Sequence, residues 1–131
     1  MILKKALQIK IKENEKETTR NKRLALNVAL NYGGRLDIVN SVNAFYKKKI
    51  KKITEKDINS GLYTKGQSDV DLLIRTGGQQ RMSNFLLWQS AYAELFFSKK
   101  LWPDFDEKIF VNALYFFQNT ERKFGSVSKS T

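Results

Sequence analysis

The run Val70-Asp71-Leu72-Leu73-Ile74-Arg75 is too short and too apolar to stand as a surface helix, and it stops at the turn Thr76-Gly77-Gly78. A short apolar stretch closed by glycines reads as a buried strand, the kind a parallel sheet covers on both faces. A second segment carries a related signal. Leu24, Leu26, Val28 and Leu30 alternate with the residues between them, and Asn31-Tyr32-Gly33-Gly34 ends the alternation. Glu94-Leu95-Phe96-Phe97 reads as a third, shorter strand.

Helical spacing fills the gaps between these strands. Residues 2–17 begin with Leu3, Ala6 and Leu7 on one face and fade into lysines, which predicts a helix exposed at its far end. After Gly34 a helix is expected with Ile38, Val39, Val42, Phe45 and Tyr46 on one face and the lysines 47–52 at its end, where cations suit the helix dipole. Thr54-Glu55-Lys56-Asp57 is a helix-start pattern, and Gly61 closes the short helix it opens. Residues 83–92 are expected to be helical, with Ser83 or Asn84 as the cap. Trp102-Pro103-Asp104-Phe105 reads as a turn, and residues 106–123 as a last helix with Phe110, Leu114 and Phe117 inward. Strands alternating with helices predict an α/β fold, a parallel β-sheet with flanking helices, whose ligands lie beyond the C-terminal ends of the strands. Two of the expected strands end in glycine-rich segments, so both turns are expected on one rim.

A length of 131 residues fits one compact domain, and an apolar share of 41% supplies a core. No internal repeat or convincing linker divides the chain, so residues 1–125 are read as one domain and 126–131 as a disordered tail. The formal charge of +11 favours anionic partners without choosing among them. Most of the cations are lysines, in residues 4–16 and 47–52, and these runs read as solvated helix faces. The arginines are fewer, and several stand beside the glycine-rich turns. Their planar fork suits phosphate better than the point charge of lysine does. With no Cys and no His, thiolate chemistry, disulfides and histidine bases are excluded. Any chemistry must run on carboxylates, arginines and backbone. No apolar stretch approaches a membrane span, and the first residues lack the apolar run of a signal peptide, so a cytoplasmic protein is expected.

Arg75 at a strand end, two glycines, then Arg81 and Ser83 at the mouth of an expected helix make a candidate diphosphate cradle. Glycines would let backbone amides approach oxyanions, a helix N-terminus adds partial positive charge, and two guanidinium groups add bidentate hydrogen bonds. On spacing alone a second reading stands: the glycines merely turn the chain, and Arg81 pairs with a surface acid.

The stretch Asp71-Leu-Leu-Ile-Arg75-Thr-Gly-Gly-Gln-Gln-Arg81-Met-Ser83-Asn84-Phe-Leu-Leu-Trp88-Gln-Ser-Ala-Tyr92-Ala-Glu94-Leu-Phe-Phe, with Trp102-Pro103-Asp104-Phe105 after it, closely resembles the last two signature regions of undecaprenyl diphosphate synthases, which are cis-prenyltransferases. Leu26-Asn27-Val-Ala-Leu-Asn31-Tyr32-Gly33-Gly34-Arg35 resembles the signature before them, and the similarity runs from about Ala6 to Gly125. The resemblance implies the C-terminal half of the cis-prenyltransferase fold. It implies that Arg75, Arg81 and Ser83 hold the diphosphate of isopentenyl diphosphate, with Met82 in the same wall, and that Glu94 helps bind Mg²⁺. Without the resemblance, Glu94 is equally an acid pairing with a lysine. Asp71 and Asn31 look like scaffold residues of the rim, and Tyr32 and Trp88 like core.

The family is roughly twice this length. Its earlier half carries an Asp-Gly-Asn-Gly-Arg-Trp type loop that grips the allylic diphosphate and Mg²⁺, and a Phe-Ser-x-Glu-Asn-Trp type segment implicated in proton removal; no segment of this sequence matches either. Gln79 stands where the family usually has an acid, and Arg122-Lys123-Phe124-Gly125-Ser126 replaces an Arg-Arg-Phe-Gly-Gly tail. The resemblance therefore implies an isoprenyl transferase that condenses isopentenyl diphosphate with an allylic diphosphate to a cis-polyprenyl carrier lipid for the cell wall. It would lack catalytic residues of its own, be inactive alone, expose apolar surface, form a homodimer and touch membranes through its lipid product. Two other readings are a non-catalytic subunit of a heteromeric cis-prenyltransferase and a basic nucleic-acid module. The latter lacks an aromatic-basic stacking pattern, so no nucleic-acid partner is expected.

Overall fold

The computed structural model describes residues 4–122. The chain gathers into two compact units, Met1–Tyr32 and Gly33–Thr131. In the first, helix α1 spans Lys5–Thr18, built from straight-chain Lys, Glu and Gln residues that lose little rotamer freedom in a helix. The hydroxyls of Thr18 and Thr19 bond back to the carbonyls of Asn14 (2.8 Å) and Glu15 (2.7 Å) at its end. No residue of α1 is buried.

The strand expected at residues 24–30 is absent. Leu24, Leu26 and Val28 are 80%, 81% and 70% exposed, and the backbone there has no regular structure. Alternation sorts side chains onto two faces, but a strand exists only where a neighbour completes its hydrogen-bond ladder. Among the described residues the ladder joins two other segments only.

Those segments are β1 (Leu72–Arg75) and β2 (Glu94–Phe97), paired in parallel from Leu72 opposite Glu94 to Arg75 opposite Phe97. Both expected strands are present, β1 beginning two residues later than its apolar run. Helix α2 (Gly34–Lys47) and helix α3 (Glu55–Gly61) pack on one another ahead of the sheet in sequence. Thr54 opens α3 with the expected capping box: its hydroxyl accepts from the Asp57 amide, and the Asp57 carboxylate accepts from the Thr54 amide at 2.9 Å. Trp102–Asp104 form a single 3₁₀ turn, and α3's later counterpart α4 spans Glu107–Gln118 with Asp106 capping the Ile109 amide at 2.9 Å.

Two helix faces differ from expectation. On α2 the side turned inward carries Gly34, Asp37 and Ser41, all buried, while Val39 and Tyr46 are 52% and 78% exposed. Ser41 Oγ donates to the Ile58 carbonyl across 2.8 Å, and the Asp37 carboxylate accepts from the Tyr63 amide at 3.0 Å, so polar groups knit α2 to the segment after it. On α4 the inward residue is Ala113, with Ile109 and Phe117 half-buried. Phe110 and Leu114 lie on the open side with Val111, Tyr115 and Phe116. The small Ala113 lets the helix axis approach the sheet, which rotates the bulkier neighbours outward, although Phe116 still meets Phe96 of β2 at 5.7 Å between ring centroids. Helix α4 ends at Gln118, short of the expected residue 123. Residues 123–131, including the expected tail, lie outside the described residues.

Candidate functional site

β1 ends on Arg75, and the chain leaves it through Gly77 and Gly78, at φ +88° and +76°. These are left-handed conformations that glycine adopts without the steric cost a Cβ brings. Their amides are already engaged: Gly77 donates to the Lys100 carbonyl (2.7 Å) and Gly78 to the Ser98 carbonyl (2.9 Å), while Ser98 donates to the Arg75 carbonyl (2.8 Å). The glycines thus fasten the turn after β1 to the segment that follows β2. The expectation that their backbone amides face an anion is corrected, because those hydrogens point at carbonyls of the neighbouring segment.

The guanidinium of Arg75 reaches across the turn, donating through one nitrogen to the Arg81 carbonyl and to Ser83 Oγ, the latter across 2.8 Å. Arg75 and Ser83 are therefore brought together as the sequence predicts. Arg81 follows on the same loop with its guanidinium exposed and free of hydrogen-bond or ion-pair partners among the described residues. Met82 is half-buried between them, its carbonyl accepting from the Phe85 amide at 3.0 Å. Two clefts, one of about 220 Å³ between α3 and residues 62–69 and one of about 550 Å³ along α2, are lined by none of Arg75, Arg81, Met82 and Ser83.

The helix expected over residues 83–92 does not form. Ser83, Asn84 and Leu86 have φ of +47°, +64° and +43°, which a right-handed helix cannot contain, and the segment is a succession of turns. Asn84 does act as a cap, but for α2. Its carbonyl accepts from the Gly34 amide (2.7 Å) and its side-chain oxygen from the Arg35 amide (2.9 Å). Two of the orphan amides at the start of α2 are thereby satisfied by the loop that carries Ser83. The first glycine-rich segment thus meets the loop that follows the second one, although no strand precedes Gly33. An Asn beside a serine in a turn-rich loop was the available signal, since Asn tolerates positive φ.

Glu94 occupies the first rung of β2, three rungs from the Arg75–Phe97 pair. At about 3.3 Å per residue this is roughly 10 Å along the sheet, so Glu94 stands outside the Arg75–Ser83 cluster. No group of three or more Asp or Glu residues that could cage a metal exists among the described residues. Asp71 precedes β1 at this same end rather than on the rim expected of it. Its carboxylate pairs with Arg122 at 2.6 Å, and Arg122 also lies 5.4 Å over the Phe117 ring. Trp88 is half-buried and anchored by its Nε1, which donates to the Asn59 side chain. No helix of the described residues is long and apolar enough to cross a membrane.

Comparison with known proteins gives one answer. The family model for undecaprenyl diphosphate synthase matches residues 1–125. The ditrans,polycis-undecaprenyl-diphosphate synthase, (2E,6E)-farnesyl-diphosphate specific, of Yersinia pseudotuberculosis is 49% identical over 128 residues, covering 93% of this chain and 51% of that protein. The synthase of the same name from Haemophilus ducreyi is 50% identical over 126 residues, covering 92% and 52%. Among solved structures, lavandulyl diphosphate synthase from Lavandula x intermedia, in complex with dimethylallyl diphosphate, superposes with a TM-score of 0.90 at 36% identity, covering 95% of this chain and 56% of that one. The chain spans about half the length of the curated relatives it matches.

Proposed function

This chain belongs to the undecaprenyl diphosphate synthase family, and we propose that it supplies the isopentenyl diphosphate site of a cis-prenyltransferase. The observation that carries the reading is the Arg75–Ser83 hydrogen bond, on a loop that also carries the unpaired Arg81 guanidinium. Because Ser83 Oγ accepts from Arg75, its own proton is directed away and can be donated to a phosphate oxygen. Arg75 keeps further N–H groups for the same anion, and Arg81 adds a second cation. Two guanidinium groups and one hydroxyl match a diphosphate in charge and donor count, without help from the glycine amides.

In the proposed reaction the isopentenyl double bond attacks the first carbon of an allylic diphosphate. A carbon–carbon bond forms, the allylic carbon–oxygen bond breaks and carries its electron pair to the departing diphosphate, and a proton leaves to restore a double bond. The residues of this chain bind and orient the nucleophilic partner, a contribution worth several kcal/mol when the reacting atoms are held in line. Proton removal is assigned to no residue of this chain, and in the grip on the leaving group only Glu94 is given a part. Glu94 offers one carboxylate, which fits Mg²⁺ completed by phosphate oxygens and water but not a metal held by protein alone. Its place away from Arg75 directs that role to the allylic diphosphate, whose departing charge the ion would neutralise.

Titration calorimetry with isopentenyl diphosphate tests the reading. One molecule is expected to bind per chain, with affinity falling at least about 100-fold in Arg75→Ala and in Arg81→Ala. With an allylic diphosphate and Mg²⁺ added, the chain alone is expected to form no condensation product. Binding that survives both substitutions rejects the site, and product formed without another polypeptide rejects the division of labour.

A further inference from the structure

The end of α2 and its connection to α3 hold Lys47, Lys48, Lys49, Lys51 and Lys52, five cations in six positions with no acid among them. Its shape is fixed at both ends. The Lys48 amide donates to the Phe45 carbonyl at 3.0 Å and the Lys49 amide to the Tyr46 carbonyl at 2.9 Å, Lys49 adopts φ +58°, and the Ile50 amide returns to the Phe45 carbonyl at 3.4 Å, closing α2. Thr54 and Asp57 then open α3. All five lysines are exposed and form no ion pair among the described residues. Two apolar side chains share the turn with them, Tyr46 at 78% and Ile50 at 38% exposure.

This basic turn is not part of the diphosphate site. The start of α2 meets Asn84, next to Ser83, whereas the turn lies at the other end of a 14-residue helix, about 20 Å away at 1.5 Å per residue. Beside the turn runs the open cleft of about 550 Å³, whose lining includes Asn40, Asn43 and Lys47. Their i, i+3, i+7 spacing puts two amides and an ammonium on one face of α2.

We propose that this turn docks the protein on an anionic lipid bilayer. A charged bilayer presents a diffuse negative surface, which hydrated lysine point charges neutralise without fixed geometry. Tyr46 is amphipathic and Ile50 apolar, a pair suited to the headgroup boundary, while Asn40, Asn43 and Lys47 can hydrogen-bond lipid phosphates. RNA recognition fits less well: it draws on planar arginines and on several aromatic platforms for unstacked bases, and residues 46–52 contain no arginine and one aromatic ring.

Flotation of the full chain with vesicles of phosphatidylcholine containing about one third phosphatidylglycerol, at about 0.15 M salt, provides the test. Binding is expected to these vesicles, not to pure phosphatidylcholine, and to fall as salt rises. Each lysine near such a surface is worth about fivefold in affinity, so K47Q/K48Q/K49Q/K51Q/K52Q should weaken binding at least about 100-fold. A control, K4Q/K5Q/K10Q/K12Q/K16Q, removes the same five charges from α1 and its first flank and should cost less than about tenfold. Circular dichroism of both variants should match the parent, since every substituted lysine is exposed. Equal losses in the two variants would assign binding to net charge and overturn the proposal. So would displacement of the vesicles by isopentenyl diphosphate, which would place the lipid in the diphosphate site, or an RNA oligonucleotide held through the same five lysines in preference to the vesicles.

Discussion

The side-chain oxygen of Asn84 accepts the amide hydrogen of Arg35 across 2.9 Å, a cap delivered to helix α2 from 49 positions further along the chain. With the neighbouring bond from the Gly34 amide to the Asn84 carbonyl, it fixes the loop on which Ser83 faces Arg75. The Ser83 hydroxyl is thus held by a helix terminus as well as by the sheet.

Replacing Asn84 separates the cap from the backbone conformation. Asn84→Ala removes the acceptor for Arg35, a loss of about 1 kcal/mol, and puts at φ +64° a residue that lacks the tolerance of Asn for this conformation, adding up to roughly 1 kcal/mol more. Asn84→Gly loses the cap but relieves the conformation. Thermal denaturation should rank the parent above the glycine variant and the glycine variant above alanine, and isopentenyl diphosphate binding should weaken in the same order. An alanine variant as stable as the parent would remove the cap from the account.

The fork of Arg75 is separable from its charge. Arg75→Lys keeps the cation but cannot hold both the Arg81 carbonyl and Ser83 Oγ while reaching a phosphate. Isopentenyl diphosphate affinity should fall about 10- to 100-fold by calorimetry, and about tenfold in Ser83→Ala, which loses one donor. Equal affinity for the parent and Arg75→Lys would show that charge alone suffices.

Local chemistry was legible wherever a segment closes on itself. The Thr54–Asp57 capping box, the short strands ending at Arg75 and Phe97, and the Asp106 start of α4 follow from nearby residues. Misreadings arose where a distant partner decides. Residues 24–30 have strand alternation without a neighbouring strand, and residues 83–92 have helical spacing overruled by three positive φ values. Asn84 was one of two expected caps for a helix over residues 83–92, but which helix it serves depends on a contact that no local pattern encodes. The nearness of Arg75 to Ser83 was legible because both flank one short glycine turn, whereas the burial of Asp37 and Ser41 in place of Val39 and Tyr46 depends on where α3 lies.

Gly61 marks that contact. A Cβ built on it would stand 2.2 Å from Ser41 Oγ and 3.0 Å from the Phe45 ring, so Gly61→Ala must push α2 and α3 apart at a cost of roughly 1–3 kcal/mol. Ser41→Ala removes the nearest atom and leaves the milder contacts. In a double-mutant cycle by urea denaturation, Gly61→Ala should be less costly in the Ser41→Ala background than in the parent. Strict additivity would mean that the two side chains do not meet.

The capping box at α3 should make part of the protein's stability depend on acid pH. The Asp57 carboxyl is held below its ordinary value of 3.8, first by the hydrogen bond from the Thr54 hydroxyl and then by the Thr54 amide. A carboxyl with a depressed folded value releases its proton more readily in the native state. The unfolded chain therefore binds more protons through this range, and stability rises with pH. The contribution is fully present above the ordinary value and is lost as the pH falls beneath it through the depressed one. Asp57→Asn has no charge to lose. The difference in Tm between the parent and this variant should be constant at neutral and mildly acidic pH and should narrow once the pH drops under the ordinary carboxyl value. A gap of unchanged size throughout the acid limb would mean that the ionised carboxylate contributes nothing to the start of α3.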